Sequence, residues 1–527
     1  MLYGSPTGLA ESLQEKWAPL EIEFHRAYWA SQVEASEDTE SRRMDLELDL
    51  RRAKGDTEAF VAVTAALDEE VHDPLTKRQL EVLRSSLTGN QMDEKQLAQI
   101  VDLSSSIEND FAAYRPEVDG RRLSDNDIEQ LLKTSGDQGV RRRAWEASKE
   151  VGAVVAARIR ELARLRNQAA HNLGFADYYR MSLDLQELSE PWLFGVLDDL
   201  ELMTNDIFGR WKSELDDRLR ARFHTRELYP WHYSDPFFQA LPLEGRVSLD
   251  GVLKNVSAAE AAERTFARWG IDLSGVMKAS DIYPREQKCQ HAFCLDVDRS
   301  GKDVRILANV VPGERWVEVM LHESGHAAYD ISIDPHLPYL LRRPAHTFVT
   351  EAIAIMSGRL VRDPRWLADI AGVPATEVES IAQDLRRSTA AQSLLFARWG
   401  LVMTHFERQL YSDPEADLDS IWWDLVERFQ LIVPPKGRSA PDWASKIHIA
   451  VAPAYYHNYL LGELFASQLR TRLEQKCGPL VGADEAGPML VGSVFSKGSS
   501  TRWDSLVKEA VGEPLSAEAF AEDLNVW

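Results

Sequence analysis

The sequence predicts a mostly α protein, a large helical body with one small β-hairpin. Three observations carry this. Apolar residues recur at three- and four-residue spacing through long charged stretches such as 40–70 and 141–170. Glycine and proline gather at short breaks, LPLEG, VVPGE and IVPPKG, and no long linker occurs. Only QHAFCLDVDRSGKDVRILANV, residues 290–310, reads as strand, two short β-leaning runs around the turn sequence DRSGKD. With no linker to divide it, the chain is read as a single domain over 1–527, charged and helical over 1–130 and continuing as the main body over 131–527.

Composition narrows the function classes. Lys and Arg total 60 against 84 Asp and Glu, a net charge of -24. Such a surface disfavours nucleic acid and anionic membranes, which both need phosphate neutralisation. No run of eighteen apolar residues occurs, so no membrane span is expected. The first thirty residues carry charges throughout and have no apolar h-region, so no secretory signal is expected. Three cysteines, Cys289, Cys294 and Cys477, are too few for a disulfide framework and point to the cytoplasm. Cys289 and Cys294 read as buried small side chains, since a structural zinc wants four ligands.

The chemistry lies in VEVMLHESGHAAYD, residues 317–330. On an α-helix, positions i and i+4 differ by about 40° around the axis, so His322 and His326 project side by side. Two imidazoles so placed can grip one Zn²⁺, with Glu323 beside its water. Chance produces this pattern in roughly a few per cent of such chains, so its setting matters. The helix is apolar before the motif, follows a Pro312-Gly313 break and comes after the strand pair.

A catalytic zinc needs a third protein ligand and an open position. Asp330, His336, His346 and Glu351 are the candidates downstream. Asp330 lies a further turn along the same helix, too far to close on the same ion, and His336 sits between prolines in a loop. Glu351 stands in HTFVTEAIAIMSGRL, a second helix that is otherwise almost all apolar. A carboxylate there is costly unless something satisfies it. Zinc would do so; an ion pair with Arg342 or Arg343 is the alternative.

HESGHAAYD followed by LLRRPAHTFVTEAIA resembles the zinc core of the angiotensin-converting enzyme (peptidyl-dipeptidase A) family. Further stretches agree in order: NQAAHNLGFADYY (167–179), QHAFCLDV (290–297), SKIHIAVAPAYYHNY (445–459) and GSSTRWDSLVKEAVGEPLSAEAF (498–520). The resemblance covers roughly residues 140 to 525. The related thimet-type oligopeptidases share the zinc motif, but the K-x-H-I of 446–449 favours the converting-enzyme side.

The resemblance implies one Zn²⁺ per chain on His322, His326 and Glu351, with Glu323 as general base and later acid. It implies Tyr459 as oxyanion donor and His448 as a hold on a substrate carbonyl. It assigns Lys446 and Tyr456 to the substrate's C-terminal carboxylate, and His291 and Ala292 to a strand that pairs with substrate backbone. Packing alone also accounts for Tyr455, Tyr456 and Tyr459, and solvation for Lys446. The implied fold is two helical halves around a deep central cleft, the charged N-terminal helices serving as a lid. The implied substrate is a short peptide. The oligomeric state is not legible.

Departures from the family are specific. The chloride-binding arginines are replaced by Asn458 and Val426. The aspartate four residues after the third ligand is Ile355, so another group must orient a zinc histidine. The glutamine of the carboxylate grip is not identifiable around YPWHYSDPFFQ. The expected activity is release of C-terminal dipeptides. Internal cleavage as an oligoendopeptidase, a dedicated role in peptide maturation, and an inactive peptide-binding scaffold are the alternatives; a binding protein has no need of Glu323.

Overall fold

The computed structural model describes residues 5–242 and 247–526. Helix takes 68% of the described residues, about twice the share of an ordinary globular domain, so the mostly α class holds. Among the described residues, no helix is long and apolar enough to cross a membrane. Part of the LPLEG break falls outside the described residues.

The chain forms two compact units from interleaved segments. The first takes residues 1–91, 248–382 and 461–519, and the second takes 92–247, 383–460 and 520–527. The stretch 1–130 is thus shared between them.

In the first unit, Pro6–Val33 and Glu37–Lys54 make an antiparallel helix pair. The periodicity of 40–70 resolves into two helices, because Gly55 and Asp56 interrupt it and Asp56 caps Thr57–Asp68. Leu9, Leu13 and Trp17 pack with Leu80, Leu83 and Leu340. The first helix is tied to the hairpin turn by charge: the carboxylate of buried Glu21 meets Lys54 at 2.6 Å and Arg299 at 2.8 Å and accepts from the Tyr339 hydroxyl at 3.0 Å.

The hairpin is as expected. Phe293–Asp296 pairs antiparallel with Val304–Leu307, Phe293 opposite Leu307 and Asp296 opposite Val304. A second ladder, Glu117–Val118 with Arg121–Arg122, lies in the other unit. At two residues a strand, it leaves no alternation to read.

The histidine helix, Glu314–Ile331, begins after Gly313 at φ 136°. Asp250 accepts the Glu314 N–H at 2.9 Å, and the fully buried Glu314 carboxylate accepts the Leu249 N–H at 3.0 Å and pairs with Arg362. The carboxylate helix, Thr347–Arg359, lies against it. They come close at Gly325, where a Cβ would stand 2.8 Å from Ala354 Cα. Only glycine permits that approach.

In the second unit, Gln138–Asn172 is one continuous helix, and Trp145 packs with Val118, Ile128, Leu132 and Trp231. Its Gly152 lets the turn at Asp442–Ser445 come close, since a Cβ would meet the Pro441 carbonyl at 2.4 Å. Fully buried Arg141 donates to the Trp231 and Tyr233 carbonyls at 2.7 and 3.0 Å. These bonds fix the path of YPWHYSDPFFQ.

Candidate metal centre and carboxylate-binding cluster

In the first unit, the histidine helix presents His322 and His326 on one face, ring centroids 5.1 Å apart. The carboxylate helix brings Glu351 to them, with His322 Nε2 at 3.7 Å from Glu351 Oε2. One donor atom from each of the three lies within 4.8 Å of the others. Among the described residues no other group of three His, Cys, Asp or Glu side chains converges in this way. Two imidazoles and a carboxylate are a donor set suited to a catalytic zinc. Burial drops His322 to about 4, and burial with His322 alongside drops His326 to about 3. Both rings are therefore neutral near pH 7, the form a metal requires. The residues fit the ion.

His326 Nδ1 lies 2.7 Å from Thr350 Oγ1. With the ring proton on Nδ1, Thr350 accepts it and the Nε2 lone pair is left for a metal. In that tautomer Thr350 is the candidate for the orienting group that Ile355 does not supply. Ile355 instead packs where Gly462 comes close, 3.3 Å from the position of a Cβ there.

Glu323 is 8% exposed and accepts the backbone N–H of Cys294. Burial, together with the Glu351 carboxylate, pushes its carboxyl up to about 8. The hairpin therefore holds the Glu323 carboxyl through the Cys294 backbone. Cys289 and Cys294 are half-buried, less enclosed than expected, Cys294 on the hairpin and Cys289 in the loop before it. His291 is exposed and Ala292 half-buried, directly before the strand Phe293–Asp296. Their position is set by buried Lys288, whose ammonium donates to the Asp281, Tyr283 and Ala308 carbonyls.

Lys446, His448, Tyr456 and Tyr459 share one segment of the second unit. Lys446 is 8% exposed, and burial lowers its amine to about 8. It donates to Gln239 Oε1 at 2.9 Å and lies 5.2 Å from the Trp399 ring centroid. Trp399 Nε1 donates to the Tyr456 hydroxyl at 3.3 Å. Lys446 and Tyr456 are thus brought to one indole, with Gln239 as a third polar group. His448 meets the Tyr456 ring at 5.4 Å, and Tyr459 lies against Tyr455 and Tyr456 at 5.1 and 5.7 Å.

Sequence reasoning missed Gln239 and Thr350. The turn around Gln239 was legible in S-D-P: Asp235 accepts the N–H groups of Phe237, Gln239 and Ala240. Its pairing with Lys446, 207 residues away, had no local signal.

Residues 131–526 match the model of peptidase family M3. Residues 8–208 match that of angiotensin-converting enzyme. The chain is also similar to the angiotensin-converting enzymes of Rattus norvegicus, Oryctolagus cuniculus and Sus scrofa. The rat protein is 26% identical over 261 residues, which is 46% of this chain and 19% of that protein. The rabbit protein is 27% identical and the pig protein 26%, each over 251 residues, 45% of this chain and 19% of the relative. These matches span about a fifth of the length of the curated relatives.

Proposed function

We propose that this chain, which belongs to peptidase family M3, is a zinc-dependent peptidase that releases dipeptides from the free C-terminus of short peptides. The observation that carries the reading is the convergence of His322, His326 and Glu351, with buried Glu323 on the same helix. Those three residues would hold one zinc per chain. Bound there, zinc supplies Lewis acidity, acidifying a water and polarising the scissile carbonyl. Glu323 is the residue of this chain that takes the water's proton and returns it to the leaving amine.

In the second unit, Lys446 and Tyr456, joined by Gln239, are assigned to the substrate carboxylate. Resemblance assigns oxyanion donation to Tyr459, a substrate carbonyl to His448, and backbone pairing to His291 and Ala292. The three cysteines are free thiols, which supports the cytoplasm as the setting. A second reading, internal cleavage at the same centre, is favoured by one observation: the model matching the metal-bearing region is that of family M3, whereas the converting-enzyme match ends at residue 208.

The test is digestion of a peptide mixture read by mass spectrometry, with metal content measured on the same protein. About one zinc per chain and dipeptide products are expected. Glu323→Gln should keep the metal and lose about 10² or more in kcat. A fully active Glu323→Gln enzyme overturns the mechanism, and exclusively internal products select the second reading.

A further inference from the structure

The turn between His448 and Tyr456 is held by three side chains that belong to none of the motifs. Arg166, on the helix Gln138–Asn172, donates from Nη2 to the Ala450 carbonyl at 2.8 Å and from Nη1 to the Tyr411 hydroxyl at 3.0 Å. Glu407, 1% exposed, accepts the Ala454 N–H at 2.8 Å. Gln186 uses both ends of its amide: Nε2 donates to the Ala454 carbonyl at 3.2 Å, and Oε1 accepts from Asn458 Nδ2 at 2.9 Å. The same oxygen lies 3.1 Å from His457 Nε2.

Ala454 stands at φ 52°, in the left-handed region that a residue with a Cβ seldom adopts. Its N–H and its carbonyl are both taken by these side chains. A strained residue persists when its surroundings over-determine it, and such residues gather where a functional group must be placed. Two residues later Tyr456 opens the helix Tyr456–Cys477, and Lys446 lies just upstream. Each residue of a helix turns the side chain by about 100°, so a one-residue change in this turn would carry the Tyr456 hydroxyl away from Trp399 and Lys446.

We propose that Gln186, Glu407 and Arg166 are positioning residues: by clamping residues 450–458 they hold Tyr456 beside Lys446 and Gln239 and so set the preference for a free C-terminal carboxylate over an amide. The inference rests on the reading of Lys446, Gln239 and Tyr456 as the carboxylate grip. The clamp acts through hydrogen-bond geometry. An oxygen acceptor at 407 and an amide at 186 are what it needs.

The test uses the zinc-loaded full chain carrying Glu323→Gln, so that binding is read without turnover. Dissociation constants are measured for one peptide as its C-terminal acid and as its C-terminal amide. The parent should favour the acid by about 10-fold or more, the range of a hydrogen bond to a charged group. Gln186→Leu and Glu407→Met should each remove most of that preference by weakening the acid alone, with zinc content unchanged. Glu407→Gln keeps an acceptor for the Ala454 N–H and should retain the preference. The half-buried site of Gln186 keeps the test open should Glu407→Met fail to fold. An undiminished preference in Gln186→Leu, or equal weakening of acid and amide, overturns the proposal. A parent that binds both forms equally, and is unaffected by Lys446→Ala, overturns the grip reading and the clamp with it.

Discussion

Thr350 Oγ1 lies 2.7 Å from His326 Nδ1, one residue before Glu351. On the proposed reading, one turn of helix provides both a ligand, Glu351, and the group that aims another, His326. A neutral hydroxyl would here take the part that the resemblance assigns to an aspartate at position 355. Thr350→Val keeps the shape and removes the acceptor. Zinc affinity, measured by chelator competition, should fall by about 10- to 100-fold, and Thr350→Ser should restore it. Unchanged affinity in Thr350→Val would show that packing alone orients the ring.

Gly325 marks the contact that makes the ligand set possible. Gly325→Ala would place a methyl 2.8 Å from Ala354 Cα and force the histidine and carboxylate helices apart. Stability should fall by about 1–3 kcal/mol, as in other overpacked cores, with weaker zinc binding. Gly358→Ala is the control. Its nearest neighbours, the Glu318 carbonyl and His322 Cβ, lie at 3.5 Å, so the variant should be tolerated.

The proposed carboxylate grip makes a prediction about additivity. Lys446→Ala and Gln239→Ala should each lower kcat/KM for free-acid peptides by roughly 10- to 150-fold. Amidation of the substrate should cost the wild type a similar factor. The losses should not add, since each removes the same interaction. Additive losses would separate Lys446 from the substrate carboxylate.

Chloride should not activate the enzyme. Val426 lines an aromatic cavity with Trp145, Trp399, Trp422, Lys149 and Asp442. The Lys149 amine lies 3.2 Å from the Phe237 ring centroid, and burial lowers it to about 7 despite the Asp442 and Asp235 carboxylates. Asn458 gives its amide to Gln186. Neither position offers a fully charged donor to an anion. Rates in acetate and chloride at equal ionic strength should coincide; a saturable chloride dependence contradicts this.

Glu21 predicts a limb of acid unfolding. Burial alone would raise its carboxyl, but Arg299 and Lys54 reverse the effect and take it from 4.5 to about 2. Between those values the unfolded chain binds the proton and the native chain does not. The stabilisation is therefore complete above about pH 4.5 and is lost as pH falls through about 2. Burial also lowers the Lys54 amine, which reduces the net gain of the pair. Glu21→Gln should lower stability at pH 7 by about 1–3 kcal/mol. In urea melts at fixed zinc, variant and wild type should converge from pH 4.5 toward pH 2. A constant gap across that range would remove Glu21 from the acid response.

The candidate site was legible where its logic is local. His322, Glu323 and His326 belong to one helix, and helical geometry alone sets two imidazoles side by side. Glu351 was legible because a carboxylate among apolar residues demands a partner. Tyr456, Tyr459, His448 and Lys446 were named through family likeness, since tyrosines near a helix start and a lysine in a loop carry no chemistry of their own. The break at Gly55 was passed over within 40–70, where apolar residues recur on both sides of it; Asp56 as a cap marks the second start.

The sequence by itself determined the helical class, the hairpin, the paired histidines and the need for a third ligand, because each depends on residues a few positions apart. Only the tertiary structure decided that Thr350 meets His326, that Gln239 meets Lys446, and that Gln186, Arg166 and Glu407 bond to the turn before Tyr456. Those pairings join residues 24 to 284 positions apart. The close backbone approaches at Gly325, against Ala354, and at Gly152, against Pro441, were likewise decided only by the fold. A glycine in a sequence announces freedom, but which backbone occupies that space is settled only by packing.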